Sequence, residues 1–377
     1  MKNKSARIKT MLKKEVFLKQ LGELVSCRTL PGEIEECAKA LGLVESWLDK
    51  SVVVKRIKNG KAEILIASNI DTMSPDVAFM VHMDVVAGRD DQFNLIVDGD
   101  HLVGRGTSDM KFSIPMGIAL VNELTKLSWT SSFSLVITTD EEVGGFEGAK
   151  FLEEKMSFRP KLLIVPDGGD NWVFVNKAKG ICQVLVESKG KPAHASRVWL
   201  GKNALNSLVI LADELISKFK ENNKKESWKT TMNVGVIQGG ISTNQVCAEA
   251  IMKLDFRFPE TESEASIIKM VKETAAMIDE NLKITQMAGG SPTFTDESLA
   301  VVKDFLKKMG QLSDHKIEVK PTYGGSDARW FSKHNVPVLM IKPNGGEIHS
   351  DDEWVSLTSC LKYFEGLHSF LINKQVG

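Results

Sequence analysis

Between residues 78 and 165 the chain alternates short apolar runs with segments of helical periodicity, and no other feature restricts its fold so strongly. Ala78–Val86 reads as a strand, Gly88–Ser108 as a turn-rich loop, Lys111–Leu127 as a helix and Ser132–Thr138 as a strand. Glu147–Lys155 follows as a helix and Lys161–Val165 as another strand. Strands that take turns with helices imply an α/β fold, a mostly parallel sheet covered by helices on both faces. Glu297–Met309 and Val338–Ile341 supply one more helix and strand for that sheet. Before the alternation begins, helical periodicity runs to Trp47, broken at Pro31 and Gly32.

The pattern changes near Ala178. A strand (Ile181–Ser188), a long helix (Ala204–Lys220) and a Lys-rich connector (Glu221–Trp228) lead to strands Thr231–Ile237 and Ala248–Phe258. A helix (Glu262–Ile278) and a last strand (Lys283–Met287) finish the segment, with Gly289, Gly290 and Pro292 marking the return. The order β-α-β-β-α-β is the ferredoxin-like unit. A chain of 377 residues is too long for one simple core. The expectation is therefore a larger α/β domain in two parts, 1–178 and 291–377, interrupted by an inserted ferredoxin-like α+β domain, 179–290.

Formal net charge is −1, and no basic run is interleaved with aromatics, which argues against a nucleic-acid partner. The basic stretch Met1–Gln20 leads into a helical face of Leu18, Leu21 and Leu24 rather than a continuous apolar run. A secretory signal and a membrane partner are not expected, and the reading is of an ordinary surface helix in a cytoplasmic protein. Five scattered cysteines, Cys27, Cys37, Cys182, Cys247 and Cys360, contain no C-x-x-C pair and read as buried thiols.

Polar clusters follow the strand candidates. His82 and Asp84 lie two apart near the end of one strand and so face the same side. Asp109 follows the turn at Gly104–Gly106; Asp140, Glu141 and Glu142 follow Ser132–Thr138; Asp167 follows Lys161–Val165; His349 follows Val338–Ile341. In a parallel sheet the carboxyl ends of the strands share one edge, where ligands bind. So many carboxylates cannot all stay ionised together without cations. Two imidazoles with Asp and Glu oxygens suit two divalent metal ions, zinc first, with manganese or cobalt as alternatives. A carboxylate between two metals, with a neighbouring Glu as base, is the arrangement of two-metal hydrolases.

Six segments carry a resemblance: V-H-M-D-V-V from Val81, G-R-G-T-S-D-M-K from Gly104, T-T-D-E-E-V-G-G from Thr138, V-P-D-G-G from Val165, G-K-P-A-H-A-S from Gly190 and E-I-H-S from Glu347. In order and spacing the chain resembles the co-catalytic dinuclear zinc peptidase and deacylase family. That family includes acetylornithine deacetylase, succinyl-diaminopimelate desuccinylase, carboxypeptidase G, peptidase T, aminoacylase and carnosinase. The resemblance implies the same two-domain fold and a homodimer formed through the inserted domain.

It also implies roles. His82 and Asp167 would bind the first metal, Glu142 and His349 the second, and Asp109 would bridge the two. Asp84 would orient the His82 imidazole. Glu141 would be general base and then general acid, and His194, commonly supplied by the partner subunit, would stabilise the tetrahedral intermediate. Asn244, Arg257 and the loop Gly324–Asp327, with Gly325 and Ser326, would contact substrate, Arg257 pairing a carboxylate bidentately. Asp167 stands where the deacylase and carboxypeptidase branches usually carry Glu, and Asp is typical of the aminopeptidase and dipeptidase branch. The G-R-G-T-S-D-M-K segment and the overall length are closer to the desuccinylase branch. The expected substrate is a dipeptide or short peptide, with an N-acyl amino acid second. An inactive metal-binding scaffold is a third reading, opposed by the retention of Glu141.

Other polar residues have plainer readings. Asp140 is expected to cap a turn, and His101, His315, His334 and His368 to be surface or packing residues. The glycine pairs at 144–145 and 168–169 lack the Lys-Ser/Thr ending of a phosphate loop and are expected to let the backbone turn tightly beside the metals.

Overall fold

Val77–His82 is buried at every position, as a strand must be when both faces of its sheet are covered. Its side chains alternate between two separate cores. Val77, Phe79 and Val81 join Leu135, Ile137 and Ile164 on one face, while Ala78 and Met80 join Val136, Leu163 and Val165 on the other. The computed structural model describes residues 12–372, so the reading made of the basic stretch from Met1 lies partly outside the described residues.

The sheet runs in the order Val53–Asn59, Ala62–Ser68, Phe133–Thr138, Val77–His82, Leu163–Ile164, Val338–Leu339. The last four are mutually parallel. The first two form an antiparallel hairpin whose second strand also runs antiparallel to Phe133–Thr138. The sheet is therefore mixed at one edge. Its cause is local: Gly60 adopts φ +56° in the two-residue turn between Asn59 and Ala62, and a tight turn returns the chain antiparallel. Helices Lys14–Ser26, Ile34–Trp47 and Ser113–Lys126 cover one face together with Leu357–Ile372. Leu21 and Leu24 of the first helix are buried and Leu18 partly so, as the leucine face requires.

The chain divides into two compact units. One runs to Lys177 and resumes over Phe294–Thr322 and from Ser326; the other comprises Ala178–Thr293 with Tyr323–Gly325. The second unit is an antiparallel sheet ordered Thr231–Gly239, Glu249–Phe258, Gly180–Lys189, Lys283–Gly290. Helices Ala204–Asn223 and Glu264–Ile278 bury Leu208, Leu211, Leu215, Ile267 and Val271 with Val184, Met252 and Phe256 of the strands. This is the inserted ferredoxin-like domain. All five cysteines are buried and free of disulfides. Among the described residues no helix is long and apolar enough to cross a membrane.

Candidate metal centre

Strand register decides which side chains meet. His82, the last residue of its strand, pairs with Thr138, the last of its parallel neighbour, so residues 82–84 and 139–142 leave the sheet side by side. Leu163–Ile164 lies between Ala78–Phe79 and Val338–Leu339, which brings Asp167 and Lys342 out along the same edge. Parallel strands place all these carboxyl-terminal loops together.

Two ligand groups form there. His82, Glu141 and Asp167 each offer an atom within 4.8 Å of the others, and Asp109, Glu142 and His349 do the same. Asp109 stands between the groups: Oδ1 lies 3.2 Å from His82 Nε2 and Oδ2 lies 3.2 Å from His349 Nε2. His349 Nε2 is also 3.3 Å from Glu142 Oε2. One carboxylate thus faces an imidazole on each side.

The loop presenting Asp109 is held from below. Glu353, only 1% exposed, accepts hydrogen bonds from the Ser108 and Asp109 N–H groups at Oε1 (2.9 and 3.0 Å) and from the Gly106 N–H at Oε2 (2.9 Å). Arg105 Nη1 donates to the same Oε2 at 2.9 Å. Asp140 accepts from the Glu147 and Gly148 N–H groups and closes the turn after Glu142. Asp327 accepts from Thr138 Oγ1 at 2.9 Å, and a Cβ on Gly145, where φ is +64°, would come within 2.0 Å of Asp327 Oδ1. Gly144, Gly168 and Gly169 also have positive φ.

Electrostatics mark the cluster as short of cations. Burial pushes the Asp167 carboxyl up to about 6, helped by Asp109, and the Glu142 carboxyl up to about 7. Burial and then Asp167 raise Glu141 well above the ordinary glutamate range. Burial would raise Asp109 as well, but hydrogen bonds from His349 and His82 outweigh it and hold that carboxylate far below its usual range. His349 is raised by its hydrogen bond to Asp109. Asp84 Oδ1 and Glu142 Oε1 are buried without a hydrogen-bond partner. Raised carboxyls and orphaned oxygens are what a carboxylate–imidazole site shows when positive charge belongs inside it. The donors, nitrogen and oxygen only, fit zinc, manganese or cobalt.

Several expected residues take other positions. The acceptor nearest His82 Nδ1 is the Asp84 main-chain oxygen at 2.9 Å, with the Asp84 carboxylate 3.6 Å away, because that carboxylate accepts from the Glu142 N–H at 2.9 Å. Ser326 is buried and caps the turn Asp327–Trp330, accepting from the Ala328 N–H. Gly325, Asn244, Arg257 and His194 belong to the second unit. There the Arg257 guanidinium is already engaged: Nε lies 2.7 Å from Asp255 Oδ1, since residues two apart on a strand share a face. Asn244 is exposed, and its Oδ1 accepts from Ser242 Oγ at 2.6 Å. His194 is exposed, with Nδ1 2.8 Å from Ser196 Oγ. His101 packs on Trp354, His315 is exposed, His334 contacts Glu153 and His368 Nε2 lies 2.9 Å from Glu123. Sequence reasoning missed Glu353, Arg105 and Lys342, and it read Asp327 only as the end of a substrate-contacting loop, where the structure buries it against Thr138. Glu353, four residues after His349, is the last of three consecutive acidic residues and does not stand out from Asp351 and Asp352 by type.

Comparison with known proteins places this geometry in a family. The model of peptidase family M20/M25/M40 matches residues 78–373. A protein named a probable carboxypeptidase from Aspergillus clavatus is 30% identical over 63% of this chain and 59% of its own length. Another so named, from Paracoccidioides brasiliensis, is covered over 51% of its length, so the chain spans about half to three-fifths of these fungal relatives. A probable succinyl-diaminopimelate desuccinylase from Staphylococcus aureus is 26% identical over 88% of this chain and 91% of its own. The fold is shared with an M20 family metallo-carboxypeptidase from Sulfolobus solfataricus (TM-score 0.77, 19% identity, 94% of this chain and 98% of that one). It is shared too with a tripeptidase from Staphylococcus aureus (TM-score 0.75, 21% identity, 96% and 100%). With the family model covering most of the chain, and the cation-deficient cluster at its strand ends, the chain belongs to peptidase family M20/M25/M40, a family of metal-dependent hydrolases.

Proposed function

We propose that this chain hydrolyses the amide bond of dipeptides or short peptides at a centre of two divalent ions, zinc first among them. The observation that carries the reading is the placement of Asp109, one oxygen toward His82 and the other toward His349 at 3.2 Å each. His82 with Asp167 would hold one ion, Glu142 with His349 the other, and Asp109 both. Bound there, the ions would supply Lewis-acid polarisation of the scissile carbonyl and acidify the attacking water. Glu141 takes the proton from that water and delivers it to the departing nitrogen. Its carboxylate lies within 4.8 Å of ligand atoms of His82 and Asp167, close enough to reach a water held there. His194 supports the oxyanion, and Asn244, Arg257, Gly325 and Ser326 contact the substrate. For Arg257 this requires exchange of Asp255 for the substrate carboxylate.

Aspartate rather than glutamate at position 167 favours the peptidase reading. The fold shared with a tripeptidase favours it as well, and the relatives named carboxypeptidase support peptide cleavage in general although that branch usually carries Glu at this position. The desuccinylase relative, matched over most of both chains, supports an N-acyl amino acid deacylase as the second reading. A cytoplasmic homodimer is proposed through the inserted domain. Val209, Ile210 and Ile216 on its long helix and Val236 and Ile237 on its edge strand are exposed apolar side chains, and burial against a second copy would remove them from water.

The test is a panel of dipeptides, tripeptides, N-acetyl and N-succinyl amino acids with added zinc, manganese or cobalt, alongside elemental analysis. Turnover of unblocked peptides supports the proposal. Exclusive turnover of N-acyl substrates selects the second reading, and bound metal with no amide cleaved would leave only a scaffold. Glu141→Gln should retain both ions and lose at least about a hundredfold in kcat. Loss of an ion instead would make Glu141 a ligand, as its grouping with His82 and Asp167 permits.

A further inference from the structure

Lys342 continues the line of strand Val338–Leu339 onto the edge that bears Asp167. Its side chain is only 2% exposed, and Nζ lies 2.8 Å from Asp170 Oδ1. Its backbone is tied to the same loop: the Lys342 N–H donates to Gly169 O at 3.3 Å, and the Trp172 N–H donates to Lys342 O at 3.0 Å. The loop that carries Asp167 is therefore fastened to Lys342 by main chain and side chain alike.

A buried ammonium is costly unless negative charge surrounds it. Asp170 is half exposed and gives one contact, so the rest of the compensation comes from the site. Burial opposes the charge on Lys342, but Asp109, Asp170 and Asp167 outweigh it and keep the lysine above its ordinary pKa. The effect is one-sided. Lys342 leaves the sheet beside Leu163–Ile164, whose loop carries Asp167, and is hydrogen-bonded to Gly169 and Asp170 of that loop. Glu142, by contrast, follows Phe133–Thr138, two strands away from Leu163–Ile164.

We propose that Lys342 is a fixed internal cation that makes the two metal positions unequal, weakening the one formed by His82 and Asp167 relative to the one formed by Glu142 and His349. The inference rests on the two-ion reading above. A resident positive charge repels an entering divalent ion in a medium that screens poorly, and it partly neutralises the carboxylates that would attract one. Lys342 is a positioning and charge-setting residue. It does not touch the reacting atoms.

Cobalt titration of the metal-stripped full chain, followed by visible absorption and by bound cobalt, tests this. The wild-type chain should take up two ions in two resolved steps. Lys342→Met should tighten the weaker step by roughly tenfold while the stronger moves less than about threefold. Asp170→Asn removes the lysine's partner and leaves the cation uncompensated, so it should loosen the weaker step and widen the gap. Lys342→Arg should keep the wild-type pattern. Opposite shifts in the methionine and asparagine variants are the signature of charge. A lysine that merely anchors the loop would loosen binding in both, and that result overturns the inference, as does a wild-type chain binding two ions with equal affinity. Uptake of one ion or none by the wild type would sink the two-ion reading as well. If Lys342→Met does not fold, Lys342→Gln takes its place: removal of the charge with a donor retained should tighten the weaker step, and loosening there is a refutation.

Discussion

Replacing Glu353 by glutamine should do more damage than its distance from the reacting atoms suggests. The carboxylate accepts four hydrogen bonds, two at each oxygen, from three main-chain N–H groups of residues 106–109 and from Arg105. An amide of the same shape turns one of those acceptors into a donor. Wherever it points, two donors at 2.9–3.0 Å then face a third. Hydrogen bonds to a charged group contribute about 1.5–3 kcal/mol each, and a buried donor left unpaired costs about 1–3 kcal/mol. Arg105, with 3% side-chain exposure, also loses its counter-charge, and breaking a buried ion pair costs about 3–5 kcal/mol. These terms overlap rather than add, so the expected loss is roughly 3–5 kcal/mol. Urea unfolding of the metal-stripped chain should show it as a lower midpoint at unchanged slope. Because Asp109 is held by the same oxygen as Ser108, cobalt uptake should weaken too. A loss below about 1 kcal/mol with normal uptake would refute the claim that Glu353 fixes the Asp109 loop.

Proton linkage gives a second prediction. In the folded chain burial holds the Asp167 and Glu142 carboxyls at about 6 and about 7, above the ordinary 3.8 and 4.5. The folded chain therefore binds more protons than the unfolded one. Stability from these groups is present below pH ~4 and is lost as pH rises through 6 to 7. In chelator the melting temperature should fall between pH 5.5 and pH 8, and added zinc should raise it more at pH 8; a chelated chain more stable at pH 8 would contradict this. Gly145→Ala should destabilise by at least about 1–3 kcal/mol, since it meets both a positive φ and the Asp327 carboxylate, and equilibrium unfolding will read it. His194→Ala should lower kcat while leaving metal content unchanged. Restored activity on mixing it with Glu141→Gln would show a site shared between subunits, and no restoration would count against sharing.

Periodicity was enough to find the strands that matter and the order of the inserted unit. Val77–His82, Phe133–Thr138 and Glu249–Phe258 lie within a residue or a few of where alternation and apolar runs put them, because burial on one or both faces leaves a local imprint. The hairpin Val53–Ser68 was less visible, although Asn59 and Gly60 sit at its turn. Its second strand is buried throughout, so alternation is lost there and only pairing distinguishes it.

By itself, the sequence determined which residue types stand after each strand, and hence that imidazoles and carboxylates would collect at one edge. Tertiary structure decided which of them touch. Asp84 gives His82 its main-chain oxygen and Glu142 its carboxylate, and Arg257 is held by Asp255. Glu353, far along the chain from Asp109, holds the loop that presents it. Lys342 looks like any other lysine until its burial against Asp170 is seen. The physical reason is that periodicity records only whether a residue faces water or core. Hydrogen bonds and ion pairs between segments separated by hundreds of residues depend on distances of a few ångströms, and those exist only once the chain has closed around them.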